Sequence, residues 1–127
     1  MREDVKKWII KADHDLKVAK DELETNEPAT DIICFHAQQC VEKYLKAYLV
    51  FKNKPFRKTH NIGEILKLCM YIDPEFEKLK ELEIHELTVY ATDLRYPEFF
   101  YIPSINEARA VVELAEKVRE FVLKKLE

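Results

Sequence analysis

The sequence predicts an all-α fold, an antiparallel up-and-down bundle of four or five helices, on three observations. Apolar residues recur every three or four positions through most of the 127 residues. The single glycine and five prolines leave little room for β-hairpins or glycine-rich loops. The periodic segments are joined by short connections, which favour antiparallel neighbours. We expect a single domain over residues 1–127, long enough to bury a core.

The first two helices are expected at Arg2–Thr25 and Thr30–Asn53, with Pro28 in the first turn of the second. The second is the longest apolar stretch and is predicted to lie at the centre of the bundle. Its core arc comprises Ile33, Ala37, Cys40, Val41, Tyr44, Ala47, Tyr48 and Phe51. The polar residues on its other side are Gln38, Gln39, Glu42 and Lys46. On the first helix, Asp13 is expected to face outward.

A third helix is predicted over Asn61–Tyr71. In the fourth, Asp73 provides the N-cap and Pro74 the first helical position, and the helix runs to about Thr92. Its apolar phase is imperfect around Glu81–His85, which predicts a break there.

The segment Asp93–Pro103 contains two prolines and four aromatic residues, so we expect a loop that packs down on the body of the domain. Ser104 and Glu107 have the spacing of a capping box. They predict the start of the last helix, Ile105–Leu126.

Composition restricts the classes of function. The net charge of −3 argues against a protein that coats nucleic acid, although a local basic patch is compatible with it. No apolar run approaches the roughly 20 residues that cross a bilayer, and the first residues lack a signal-peptide pattern. We therefore expect a cytoplasmic protein that does not engage a membrane. Three cysteines within apolar patterns, Cys34, Cys40 and Cys69, are expected to be buried thiols.

Four apolar residues lie outside the main stripes of their helices. They are Phe35 and Leu49 on the second helix, and Leu114 and Phe121 on the last. Such second strips suggest a further contact, most simply a homodimer interface. The alternative is that these are isolated exposed apolar residues, which are ordinary on protein surfaces.

Metal and nucleophilic chemistry receive little support. His36 and Cys40 have the i, i+4 spacing of two ligands on one helix, but no second pair accompanies them. His85 and Glu86 begin like a zinc-protease motif, which Val89 in the place of the second histidine breaks. Cys40 lies in the core arc, where a thiol is inert. We expect no metal, no cofactor and no catalytic residue.

An anion site is the best-supported feature. His36 and Lys43 lie at the edge of the core arc, and Lys58 and His60 precede the third helix, whose first turn offers free N–H groups. Arg95 lies among aromatic residues, of which Tyr96 and Tyr101 can stack on a base. We expect the five cationic or imidazole side chains to line one groove; they are His36, Lys43, Lys58, His60 and Arg95.

Two structural alternatives stand against this site. Thr59 or Asn61 can simply cap the third helix, with the lysines solvated. Arg95 can pair with Asp93 while the aromatic residues close the bundle as a hydrophobic plug.

Three stretches carry a family resemblance: FHAQQCVEKYLKAYLV, KTHNIGEIL and LRYPEFFYIPS, followed by the closing helix. They resemble the HEPN domain family, and in particular the substrate-binding subunit that accompanies a minimal nucleotidyltransferase. The resemblance covers nearly the whole chain from about His14. It implies a helical bundle of four or five helices that typically forms dimers, and a role in nucleotide binding.

Many members of that family are metal-independent RNases with an R-x4–6-H motif, which this sequence lacks. Arg57 and His60 are separated by only two residues, and no histidine follows Arg95. A pair assembled in space, such as Arg95 with His36 or His60, is not predicted by the motif.

Three hypotheses follow. The first is a non-catalytic subunit that binds a nucleotide or another anion and partners a minimal nucleotidyltransferase, as in a toxin–antitoxin pair. The second is a metal-independent RNase toxin, with RNA as the ligand. The third is a scaffold or antitoxin-like module without a small ligand.

Overall fold

The computed structural model describes residues 1–127 and confirms an all-helical bundle. Three long helices dominate it: α1 (Glu3–Leu23), α2 (Thr30–Phe51) and α5 (Ile105–Lys125). The shorter α3 (Ile62–Ile72) and α4 (Glu77–Glu81) lie between α2 and α5 in the chain. The 3₁₀ turns comprise Pro74–Phe76, Ile84–Tyr90, Asp93–Arg95 and Pro97–Phe99. No helix is both long and apolar enough to traverse a lipid bilayer.

Local chemistry explains several of the helix boundaries. Asn61 and Ser104 accept hydrogen bonds from the backbone N–H three residues on, as N-caps of α3 and α5. The predicted break in the fourth helix is confirmed: Glu83 adopts a left-handed conformation, with φ of 59°, between α4 and a 3₁₀ turn. The prediction that Pro28 lies in the first turn of α2 is wrong, because α2 begins at Thr30 and Pro28 lies in the connection before it.

Side-chain pairs establish the directions of the long helices. Arg2 bonds Asn53, whereas Asp15 bonds His36, so α1 and α2 are antiparallel. Arg119 of α5 bonds Asp13 of α1 at 3.0 Å. Because Tyr44 also donates to Asp13, this residue joins all three long helices. The expectation that Asp13 faces outward is therefore wrong.

Helix α2 is buried on nearly every side. It lies against α1, α3 and α5, and the segment after it returns along its surface. The polar residues opposite its predicted core arc are consequently buried as well; Gln38, Gln39, Glu42 and Lys46 are all less than 10% exposed. Periodicity identifies one apolar face, but it does not reveal how many neighbours a helix has.

The segment before α5 does not pack down as predicted. Phe100 is 82% exposed and Phe99 55% exposed, and neither belongs to the hydrophobic core. The segment is anchored at its end, where Thr30 donates a 2.6 Å hydrogen bond to the Pro103 carbonyl. Apolar character in the sequence does not by itself place these rings in the chain's own core.

The apolar strips that suggested a dimer interface lie mainly inside the protomer. Leu49 is fully buried, while Leu114 and Phe121 are partly buried and pack against the core. Phe121 stacks edge-on against Phe76, with ring centroids 4.9 Å apart. These residues therefore no longer indicate a dimer interface.

Candidate anion-binding site

A cleft of about 250 Å³ opens between the first half of α2 and the segment preceding α5. Helix α2 contributes one wall, and the other comes from the 3₁₀ turns Ile84–Tyr90 and Asp93–Arg95 and from the end of the segment before α5. Its lining comprises Asp31, Ile32, Phe35, His36, Tyr90, Leu94, Arg95, Tyr101 and Pro103. The lining combines a guanidinium, an imidazole and several aromatic rings with a single carboxylate.

Arg95 is the exposed cation of the cleft. Its guanidinium carbon lies 5.1 Å from the centroid of the Phe35 ring, within the range of a cation–π contact. The guanidinium pairs with neither Asp93 nor another carboxylate. The structural alternative in which Arg95 pairs with Asp93 is therefore wrong. An unpaired guanidinium retains its full hydrogen-bonding capacity for a phosphate or carboxylate.

His36 is oriented by a buried acid on α1. Its Nδ1 lies 2.7 Å from one oxygen of Asp15, and the other oxygen accepts from Lys43 at 2.5 Å. Asp15 is 9% exposed, so this shared pairing takes place largely out of water. A carboxylate on Nδ1 directs the other ring nitrogen, Nε2, away from α1 as a free hydrogen-bonding group.

Glu107 holds the aromatic wall of the cleft. Its carboxylate accepts hydrogen bonds from the hydroxyls of Tyr90 and Tyr101, which lie on different segments. The hydrogen bond to Glu107 raises the pKa of Tyr101, so its hydroxyl stays protonated. Ser104 accepts from the Glu107 N–H as a capping box requires, but the glutamate side chain joins these tyrosines instead of returning to the cap.

A second polar cluster lies further along α2 and is closed on itself. Glu42 accepts from Lys46 at 2.8 Å and contacts His60 Nδ1 at 2.9 Å. Lys46 also donates to the Thr59 carbonyl at 2.9 Å, and Gln38 donates to Glu42 at 3.2 Å. The cluster ties the segment before α3 to α2, and we call it the Glu42 network.

The predicted anion site at the start of α3 is largely filled by protein groups. The Ile62 N–H donates to Thr88, and the Glu64 N–H donates to the Asn61 cap. Arg57 makes two hydrogen bonds to the Glu64 carboxylate, at 2.8 and 2.7 Å. These contacts match the capping alternative for this helix terminus.

The structure divides the five predicted site residues. His36 and Arg95 line the cleft, and Lys43 joins His36 through Asp15. His60 belongs to the Glu42 network, and Lys58 is exposed on the loop before it. Of the two residues proposed to stack on a base, Tyr101 lines the cleft, whereas Tyr96 is exposed and does not.

Arg57 and His60, the pair nearest to an RNase motif in the sequence, are drawn to different acids. Arg57 binds Glu64, whereas His60 contacts Glu42. Arg95 and His36, which are 59 positions apart, instead share the cleft.

The cysteines are buried free thiols, as predicted. Burial raises the pKa of Cys34 to about 12 and also raises the pKa of Cys40 and Cys69, which leaves no thiolate at neutral pH. No group of three or more His, Cys, Asp and Glu side chains lies close enough together to hold a metal ion.

Sequence reasoning missed the acids that organise both clusters. Asp15 follows Ala12 by three positions and precedes Ala19 by four, which places it in register with the buried stripe of α1. The sequence therefore contained a signal that Asp15 is buried. The signal for Glu42 was weaker, because a Glu–Lys pair at i, i+4, such as Glu42 and Lys46, is also ordinary on exposed helix faces.

Comparisons with known proteins agree with the fold. Residues 5–126 match the HEPN domain. A Methanocaldococcus jannaschii protein named "Putative toxin MJ1304" is 35% identical over an alignment of 102 residues, and the match covers 76% of this chain and 65% of that protein. The match thus spans slightly less than two thirds of the relative's length. The crystal structure of ST0689, an archaeal HEPN homologue, superposes with a TM-score of 0.71 and 21% identity, covering 100% of both chains.

Proposed function

This chain belongs to the HEPN domain family, and we propose that it is a non-catalytic, nucleotide-binding subunit. It partners a minimal nucleotidyltransferase in a pair of the toxin–antitoxin kind. The name of the M. jannaschii relative supports a toxin–antitoxin context. The nucleotidyltransferase partner rests on the sequence resemblance.

The unpaired guanidinium of Arg95 beside Phe35 and His36 carries the binding proposal. A phosphate meets Arg95 and His36, while a base lies against Phe35 or Tyr101. The volume of about 250 Å³ is slightly below the usual range of ligand pockets, which begins at about 300 Å³. The carboxylate of Asp31 repels a phosphate at its end of the cleft. The phosphate is therefore expected at the opposite wall, beside Arg95.

Calorimetric titration of ATP and GTP tests the proposal, with and without the copurified nucleotidyltransferase. Arg95→Gln should weaken binding at least tenfold, because a charge-assisted contact contributes about 1.5–3 kcal/mol. Arg109→Gln is the matched control, since Arg109 is exposed and lies outside the cleft. Absence of saturable binding in the wild type under both conditions, or equal losses in both variants, would overturn the proposal.

A metal-independent RNase is the second candidate, and one observation favours it. His36, oriented by Asp15, and Arg95 line one cleft, although the sequence lacks the linear RNase motif. Incubation of purified protein with RNA in EDTA separates the two functions. Our proposal expects no cleavage above buffer, whereas cleavage lost in both His36→Gln and Arg95→Gln would favour the RNase.

We also propose a homodimer. Its surface differs from the apolar strips of α2 and α5 that the sequence suggested. Ile32 and Tyr101, which line the cleft, are exposed apolar residues, and so are four residues on the segment that carries Tyr101: Tyr96, Phe99, Phe100 and Ile102. A concentration of exposed apolar residues on one segment is typical of interaction sites. Sedimentation equilibrium should show a dimer that Phe100→Ser weakens, whereas Tyr71→Ser, at another exposed aromatic, should not. A monomeric wild type would contradict the dimer.

A further inference from the structure

A second cationic feature lies on the face formed by α1 and α2. It is a shallow depression of about 210 Å³ lined by Lys7, Trp8, Lys11 and Lys43. We call it the basic depression. It shares no lining residue with the cleft that contains Arg95.

Two lysines of the basic depression, Lys7 and Lys11, lack the partners that other lysines of α1 have. Lys6 pairs with Glu3 and Lys17 pairs with Asp21, whereas Lys7 and Lys11 form no salt bridge. They lie one turn apart, where like charges repel and destabilise a helix slightly. In a chain of net charge −3, this accumulation of positive charge has no evident stabilising role.

The nearby acids are already engaged. Asp4, on the turn before Lys7, binds Arg2 at 3.1 Å. Asp15, one turn after Lys11, is shared between His36 and Lys43. The carboxylates closest in sequence therefore leave the charges of Lys7 and Lys11 uncompensated.

Asp15 links the basic depression to the cleft. One of its oxygens binds His36 of the cleft and the other binds Lys43 of the depression. Lys7 to Asp15 spans eight residues of α1, or about 12 Å at a rise of about 1.5 Å per residue. A ligand with more than one phosphate can therefore extend along this row of cations.

We propose that the basic depression is a second anion site, which binds the phosphate groups of a multiply phosphorylated ligand. Lys7 and Lys11 provide the exposed ammonium groups. Lys43 provides a third, which is exchanged between Asp15 and the ligand. The phosphates come either from a free oligophosphate or from the backbone of a short strand.

Trp8 is a built-in reporter, because it lines the basic depression and is the only tryptophan of the chain. Its ring is held by Phe56, whose centroid lies 6.0 Å away in an edge-on arrangement. Titration of the full chain with tripolyphosphate at low salt should produce a saturable change in Trp8 fluorescence. The proposal would be overturned if neither tripolyphosphate nor a single-stranded ribotetranucleotide changed the Trp8 fluorescence of the wild type.

A pair of double variants with equal net charge tests which lysines are responsible. Lys7→Gln with Lys11→Gln should weaken binding about five- to tenfold, given the modest contribution of each exposed charge pair. Lys6→Gln with Lys17→Gln removes the same charge from the same helix and should change affinity less than twofold. Equal losses in the two double variants would mean a general charge effect and would overturn the site.

Two ligands distinguish the source of the phosphates. A single-stranded ribotetranucleotide that competes with tripolyphosphate, with a strong salt dependence, indicates a strand. Binding of tripolyphosphate without such competition indicates a free oligophosphate. Either result supports the shared chemistry.

The site stands independently of the proposed nucleotide cleft. Arg95→Gln should leave the Trp8 titration with tripolyphosphate unchanged, whereas the Lys7 and Lys11 double variant should leave binding of a nucleoside monophosphate at the cleft nearly unchanged. Failure of one site is therefore distinguishable from failure of the other.

Discussion

Two polar clusters lie along helix α2, and they differ in whether their cations are already paired with carboxylates. In the Glu42 network, Lys46 and His60 both contact Glu42, and Lys46 is 6% exposed. In the cleft, His36 is held by Asp15, but Arg95 contacts only an aromatic ring. The first cluster is closed, and the second has unused hydrogen-bonding capacity.

This difference separates stability from binding. A buried ion pair with complete hydrogen bonding holds segments together, and breaking it leaves an uncompensated charge out of water. The Glu42 network thereby fixes the segment before α3, and no buried side-chain polar atom of the chain lacks a hydrogen-bond partner. An exposed, unpaired guanidinium contributes little to folding, which leaves Arg95 available for the ligand that we propose.

The largest expected effect is on the closed cluster. Glu42→Gln should lower the free energy of unfolding by about 3–5 kcal/mol, because it leaves the buried Lys46 ammonium without its counter-charge. Urea denaturation measures this change. Glu64→Gln, at the partly exposed partner of Arg57, is the matched control and should have little effect. A loss no larger than that of the control would mean that the Glu42 network is not structural.

Asp15→Asn should have an intermediate effect on stability. Loss of the carboxylate shared by His36 and Lys43 is expected to cost about 1–2 kcal/mol, measured by the same urea denaturation. Nucleotide affinity at low salt should rise severalfold, because a negative charge beside the site cations disappears. Asp21→Asn makes the same charge change at an exposed pair. An equal rise in affinity there would show that only net charge matters.

The smallest effect concerns an ion pair outside both clusters. The hydrogen bond from Lys125 lowers the pKa of Asp73, so this pair stabilises the fold above the unfolded carboxyl value of about 3.9. That contribution is lost as pH falls through the lower folded value. Lys125 also lies 3.1 Å from Glu75, so Lys125→Gln should cost about 0.5 kcal/mol at pH 7 and nothing once both Asp73 and Glu75 are protonated.

Urea denaturation of the wild type and the Lys125→Gln variant, from pH 7 down to the acid transition, measures the difference. The two stability curves should converge at low pH. A constant gap between them would show that Lys125 acts through packing of its side chain and not through its charge.

The helices were readable from the sequence because their determinants are local. Asn61 and Ser104 cap the helices that follow them, and the disturbed phase before Ile84 marked a real break. The burial of Gln38 and Glu42 was not readable, since one helix contacts several neighbours that the chain supplies later. The exposure of Phe100 was also missed, because apolar character does not say whether the partner surface belongs to the same chain.

The sequence by itself determined the helical class, the positions of the helices and the kinds of side chain available for an anion. Periodicity and capping act over a few residues, so a linear pattern contains them. Only the tertiary structure decided which cations are free, because an ion pair depends on where the helices cross. It assigned Lys46 and His60 to Glu42, held His36 and Lys43 on Asp15, and left Arg95 unpaired above Phe35.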